Sequence, residues 1–161
     1  TSTYGVYGVL GNHEYYGNEI PRFKQAMKDA NVQILMDETI LVANQFYVTG
    51  REDLTNRNRL DLAQLIPENT NLPWIVMDHT PINITIPAEA GVDVHVSGHT
   101  HKGQMWPNEY ITERTFELDY GHELKDKMHA LVSSGYGFWG PPIRTNSRSE
   151  LWVIDVKFAN D

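Results

Sequence analysis

With 161 residues, 40% of them hydrophobic, and no cysteine, the chain has the size for one domain with a real core and excludes disulfides and thiolate metal sites. Lys and Arg number 13 against 21 Asp and Glu, and the resulting net charge of −8, without a basic cluster, argues against nucleic acid as a partner, because nonspecific binding draws on phosphate neutralisation. No apolar run approaches the ~20 residues that span a bilayer.

Strand-like and helix-like segments alternate along the chain. Residues 6–10 are short and β-rich and end at Gly11, as a buried strand does. Asn18 is placed to cap a helix with Pro21 in its first turn, and Phe23, Met27 and Ala30 follow at helical spacing. Residues 39–43 and 46–49 read as two strands of a hairpin around Asn44-Gln45. Residues 58–66 carry Leu60, Leu62, Ala63, Leu65 and Ile66, which predicts an amphipathic helix stopped by Pro67. Residues 74–77 and 92–97 are buried-strand patterns, and 128–133 and 151–158 are two more, separated by a Gly/Pro-rich loop over 135–142. No repeat or linker interrupts the pattern, so residues 1–161 read as a single mixed α/β domain. The chain opens at Thr1 and its first methionine is Met27, which reads as a fragment of a longer protein.

Ligand-type residues come directly after these strands. Asn12-His13-Glu14, His79, His99-Thr100-His101 and Ser133-Ser134 each stand at the end of a strand pattern. The carboxyl edge of an open α/β sheet is where such folds assemble their sites, and loops there bring distant residues together on a rigid frame. Gly11 and Gly98 allow a sharp turn before each cluster. Imidazole nitrogen and amide oxygen suit Zn, Mn and Fe. Taken singly, each residue also has an ordinary reading: His79 as a surface or core histidine, Asn12 as a turn residue, His99 and His101 as flanks of a turn. Three such strand ends in one chain favour the functional reading. His95, His122 and His129 lack that context and read as ordinary, with Asp93 and His95 sharing one face of a strand.

At these residues the chain resembles the calcineurin-like metallophosphoesterases, in Gly-Asn-His-Glu at 11–14, the lone histidine of Val-Met-Asp-His-Thr-Pro at 76–81, and Ser-Gly-His-Thr-His at 97–101. Thr-Gly-Arg-Glu-Asp at 49–53, His-Lys-Gly-Gln-Met-Trp-Pro at 101–107 and the stretch 132–144 resemble the bacterial membrane-associated branch of that family. Lys102 stands where that branch commonly has glycine, a change expected to lie at the rim. The family's opening Asp-x-His and Gly-Asp-x-x-Asp motifs are not in place, and Asp93-Val94-His95 comes too late in the chain to replace them.

The resemblance implies a four-layer α-β-β-α sandwich, incomplete on its N-terminal side, and phosphoester hydrolysis in the intact parent. Two divalent ions (Mn, Fe or Zn) would lower the pKa of a shared water and polarise the phosphoryl group for in-line attack. By match to the motifs, Asn12, His79 and His99 would ligate one metal and His101 the other, with His13 as proton donor or charge stabiliser at the leaving group. Glu14 is expected to orient its neighbours or simply to face solvent. Without the bridging carboxylate, at most one weakly held metal and little turnover are expected of these 161 residues. The expected partners are a phosphoester substrate and either a second copy of the chain or the missing N-terminal segment, paired at a bare sheet edge. Membrane attachment is expected only of the parent.

Two local features stay open. Tyr15, Tyr16, Trp106, Tyr136, Phe138 and Trp139 lie near the motif loops, either as an aromatic rim or, the preferred reading, closing the core beneath a glycine-rich loop. Arg144 is placed to bind a phosphate or to pair with Glu150. The alternative function is a noncatalytic metal-binding or interaction module that retains the fold.

Overall fold

The computed structural model describes residues 2–69 and 71–157. Its strands are β1 (Tyr7–Gly8), β2 (Gln33–Ile34), β3 (Glu38–Val42), β4 (Phe46–Gly50), β5 (Trp74–Met77), β6 (Val94–Ser97), β7 (Gly121–Lys125) and β8 (Met128–Val132). Its helices are α1 (Asn12–Tyr16), α2 (Ile20–Asp29), α3 (Thr85–Glu89) and α4 (Glu109–Thr115), with 3-10 turns at Leu62–Leu65 and His101–Gly103. The fold is α/β. β1 and β2 pair in parallel as a small sheet, and the large sheet has the order β3-β4-β5-β6-β8-β7. Its four inner strands run parallel, while β3 and β7 close the two ends as antiparallel hairpin partners. Parallel strands end at the same edge, so residues 51–53, 78–80, 98–101 and 133–135 all emerge there.

The alternation along β5 divides the core in two. Trp74 and Val76 face Leu62, Leu65, Ile84, Val92, Met128 and Ala130, under the first 3-10 turn and α3. Ile75 and Met77 face the other way, with Leu35, Val42 and Val48, against the small sheet. Each fully buried aliphatic side chain here, such as Leu35 or Val76, contributes about 1.5–3 kcal/mol of transfer free energy. The two sheets meet so closely at Gly50 that a Cβ there would lie 2.3 Å from the Cβ of Leu35 and 3.0 Å from Cγ1 of Val9. Only glycine fits at that crossing.

Several expectations need correction. The helix over 58–66 is replaced by the short turn Leu62–Leu65. Asp37 accepts the Leu60 N–H at 2.6 Å, and Arg59 is drawn into an ion pair with buried Asp78, so tertiary bonds hold the preceding residues out of a helix. The strand over 151–158 is also absent from the described residues 151–157, while Phe158 lies outside them. Leu151 and Val153 are 81% and 99% exposed, and no strand of either sheet pairs with that segment among the described residues. The hairpin turn falls one residue earlier than expected: Ala43 and Asn44, with φ of 51° and 56°, take the left-handed positions. The α2 cap is Glu19 rather than Asn18, with Pro21 in the first turn as read.

α3, α4 and β7 had no clear signal in the sequence. The β7–β8 turn uses Asp126-Lys127 without glycine, although Asp126 has φ of 55°, so the usual hairpin signature is missing.

Candidate active site

Backbone bonds that continue the ladder beyond the strand ends place the histidines. The Asp78 N–H donates to Val96 O at 3.1 Å, and the Gly98 N–H donates to His79 O at 3.1 Å. The Ser133 N–H donates to Ser97 O at 3.0 Å. His79 and the loop over 98–101 are thereby fixed side by side. His99 and His101 both take positive φ, 67° and 51°, which turns the chain sharply between the two rings. On the other side, α1 starts directly after Gly11. The Glu14 carboxylate accepts the Gly11 N–H at 2.8 Å and closes this first turn, so its role is to cap the loop that carries Asn12.

Three of the sequence-predicted groups converge on one atom. His79 Nε2 lies 3.1 Å from Asn12 Oδ1 and 3.2 Å from His99 Nδ1, with the two imidazole rings nearly perpendicular at 79°. Gly11 makes this possible: a Cβ there would lie 2.7–2.9 Å from three atoms of the His79 ring. His13 and His101 line the same cavity of about 640 Å³, together with Tyr16, Phe116 and Trp139. All five predicted residues therefore share one site. His101 differs from the rest, because its Nδ1 lies 3.1 Å from Arg144 Nη2.

Burial and neighbouring charge favour the uncharged form of His79, His99 and His101. Burial lowers the pKa of His79, against the opposing charges of Asp53, Glu14 and Asp78. Burial, then the proximity of His79, lowers that of His99. Burial, then the Arg144 guanidinium, brings His101 down to about 4. A neutral imidazole is the form that ligates a cation. The donor chemistry of Asn12, His79 and His99 fits one divalent ion through an amide oxygen and two ring nitrogens. Among the described residues, however, no three His, Asp or Glu side chains form a ready metal-binding group.

Sequence reasoning missed the carboxylates after β4. Asp53 is only 2% exposed; its Oδ1 accepts from Thr55 N–H and Oγ1–H, and its Oδ2 has no partner. It is the carboxylate whose charge acts most on both His79 and His99. Glu52 beside it is buried and bonded to Tyr15, and burial raises its pKa. A strand running into Arg-Glu-Asp was the available signal.

The aromatic residues do not close the core. Tyr16, Trp106, Tyr136, Phe138 and Trp139 are exposed, and of these Tyr16 and Trp139 edge the histidine cavity. Buried Gln104 holds their loop, accepting the Trp139 N–H at 2.9 Å and donating to Trp139 O at 2.8 Å. Arg144 makes no ion pair with Glu150. It donates to the carbonyls of Ser134, Gly135 and Gly137 and to Ser147 Oγ, while Glu150 accepts from Ser133 Oγ–H, Ser134 N–H and Tyr120 O–H. His95 is buried, with burial taking its pKa down to about 4. Asp93 precedes β6 and accepts the Trp74 N–H, and His122 and His129 stack on each other at the β7–β8 surface.

The family model for calcineurin-like phosphoesterases matches residues 3–103, which include Asn12, His13, His79, His99 and His101. The chain belongs to that family. It is 33% identical, over 97% of its length, to an uncharacterized metallophosphoesterase of Campylobacter jejuni, of which it covers 43%. It is 32% identical to an uncharacterized metallophosphoesterase of Aquifex aeolicus, over 95% of this chain and 61% of that one. A Bos taurus transmembrane protein with metallophosphoesterase domain is 26% identical over 98% of this chain and 40% of its own. The chain thus spans less than half the length of the Campylobacter relative. No solved structure matches it. Among the described residues, no helix is long and apolar enough to cross a membrane.

Proposed function

We propose that the chain carries half of the metal centre of a metal-dependent phosphoester hydrolase, as the C-terminal portion of a metallophosphoesterase domain. Asn12 Oδ1, His79 Nε2 and His99 Nδ1 hold one divalent ion, Mn, Fe or Zn. The observation that carries this reading is the approach of the first and third of these atoms to within 3.2 Å of the second. A bound divalent ion supplies Lewis-acid polarisation of the phosphoryl group. The protein's own groups do the rest. Asn12 and the two imidazoles would fix the position of the ion, exposed His13 donates a proton to the leaving oxygen, and Tyr16 and Trp139 pack against its organic part.

His101 is the second-metal ligand of this reading, and it must give up Arg144 to serve. A neutral donor set without a carboxylate binds weakly, so turnover by these residues alone is expected to be slow. The engagement of His101 by Arg144 favours the alternative, a noncatalytic module. The outer edge of β1, unpaired among the described residues, is expected to take a strand from a second copy or from a preceding segment of a longer, membrane-attached parent. A clean monomer by light scattering at micromolar concentration counts against the first of these.

The test is elemental analysis after dialysis against Mn and against Zn, with His99→Ala as the control. About one metal per chain, lost in the variant, is expected. No metal above the control overturns the half-site. An aryl-phosphatase rate equal to that of a full-length relative overturns the slow-turnover clause.

A further inference from the structure

A second cavity, of about 440 Å³, adjoins the turn that carries His101 and is lined by Lys102, Tyr120, Arg144, Asn146, Ser147 and Arg148, with Glu150 at its wall. Its chemistry is opposite to that of the molecule, which carries a net charge of −8. Three cations face one carboxylate here, and that carboxylate is already engaged by Ser133, Ser134 and Tyr120. Lys102 Nζ has no carboxylate partner among the described residues and sits 4.4 Å over the Tyr120 ring. The Arg148 guanidinium has no ion pair among them either. Arg144 Nε is buried with no acceptor among the described residues, an unusual state for a guanidinium N–H.

The cavity is also built. The Asn146 side chain donates to Lys102 O at 3.2 Å, and Ser147 Oγ donates to His101 O at 3.1 Å, so the walls are tied to the histidine turn. Lys102 holds φ of 51°, where a lysine is strained and glycine is not, and glycine would have removed the charge.

We propose that this cavity is an anion subsite that takes a phosphate-type oxyanion through Lys102, Arg144 and Arg148. The oxyanion is either a second anionic group of a substrate whose ester lies at the histidines or a free phosphate ion. The subsite itself does not depend on metal at the histidines; only its use by a substrate rests on the function proposed above.

The test titrates inorganic phosphate into the intact chain, with EDTA present and ionic strength matched by chloride, following the Arg144 Nε–H and Ser147 resonances by NMR. Saturable shifts are expected, with affinity about three- to tenfold weaker in Lys102→Gln and in Arg148→Glu and unchanged in His99→Ala. Both variants alter exposed or half-exposed side chains, and circular dichroism checks that they fold. Absence of saturation, or wild-type affinity in both variants, overturns the subsite. A parallel titration with an alkyl bisphosphate after metal loading separates the two sources. Tighter binding than phosphate, lost in His99→Ala, assigns the subsite to substrate, and equal binding assigns it to free phosphate. Failure of metal loading leaves the EDTA titration as a valid test of the subsite and falls on the metal half-site alone.

Discussion

Gly11→Ala is the smallest change that should dismantle the histidine cluster. The backbone at Gly11, φ −106° and ψ −178°, is ordinary for alanine, so the effect isolates one methyl group. That methyl would stand 2.7 Å from Cε1 of His79, where ordinary contact begins at 3.4 Å, so the ring must retreat by about 0.7 Å. Metal–ligand distances tolerate about 0.2 Å, so His79 would leave its place opposite Asn12 Oδ1 and His99 Nδ1. We expect a stability loss of about 1–3 kcal/mol from overpacking and a fall of about tenfold or more in zinc affinity. Urea denaturation reads the first, and competition with a chromophoric chelator reads the second. Long-range proton–nitrogen spectra of the imidazoles report the displacement directly. Wild-type zinc affinity with unmoved His79 resonances would refute the argument that Gly11 is there for His79.

Other perturbations separate the frame from the site. Asp78→Ala leaves the buried guanidinium of Arg59 and the nearby Arg51 without their carboxylate, and should cost about 3–5 kcal/mol in chemical denaturation; a loss below about 1 kcal/mol would contradict a buried pair. Stability should also depend on pH through His95. Its pKa is lowered by burial from 6.5 to about 4, so below 6.5 the unfolded chain takes up a proton that the native chain refuses. The stabilisation is therefore full above pH 6.5 and lost as pH falls toward 4, by at most about 3 kcal/mol, and a flat urea midpoint between about pH 7.5 and about pH 5 would refute it. Half-exposed His101 acts in the same direction with a smaller share, and His95→Gln should flatten the slope. Lys102→Gly relieves a left-handed lysine and should raise the melting temperature by about 2–4 °C, while weakening phosphate binding; a lower melting temperature would show that its packing over Tyr120 outweighs the strain.

By itself the sequence determined the inner strands of the large sheet and the residues that follow them, although the strand it also suggests over 151–158 is absent from the described residues and the buried strand over 6–10 is only the half-buried Tyr7–Gly8. The run 74–77 became β5 without a shift, and 128–133 became β8 to within one residue, because short apolar β-branched runs carry their own signal. It also placed Asn12, His13, His79, His99 and His101 immediately after strands, and all five line one cavity. The tertiary structure decided the rest. The parallel order β4-β5-β6-β8 is a nonlocal choice that sets His99, 20 positions on, beside His79, and the packing of the small sheet against the large one brings in Asn12 from 67 positions away. The same order delivers Asp53, whose value as a buried charge depends on neighbours that no local pattern names. Residues 58–66 show the converse: helical periodicity was present, but Asp37 and Asp78 bound its backbone and its arginine from elsewhere in the fold. Arg144 and Lys102 obey the same logic. Their types were legible, but whether a cation meets a carboxylate, a carbonyl or an empty cavity is set by packing between distant loops, which periodicity does not encode.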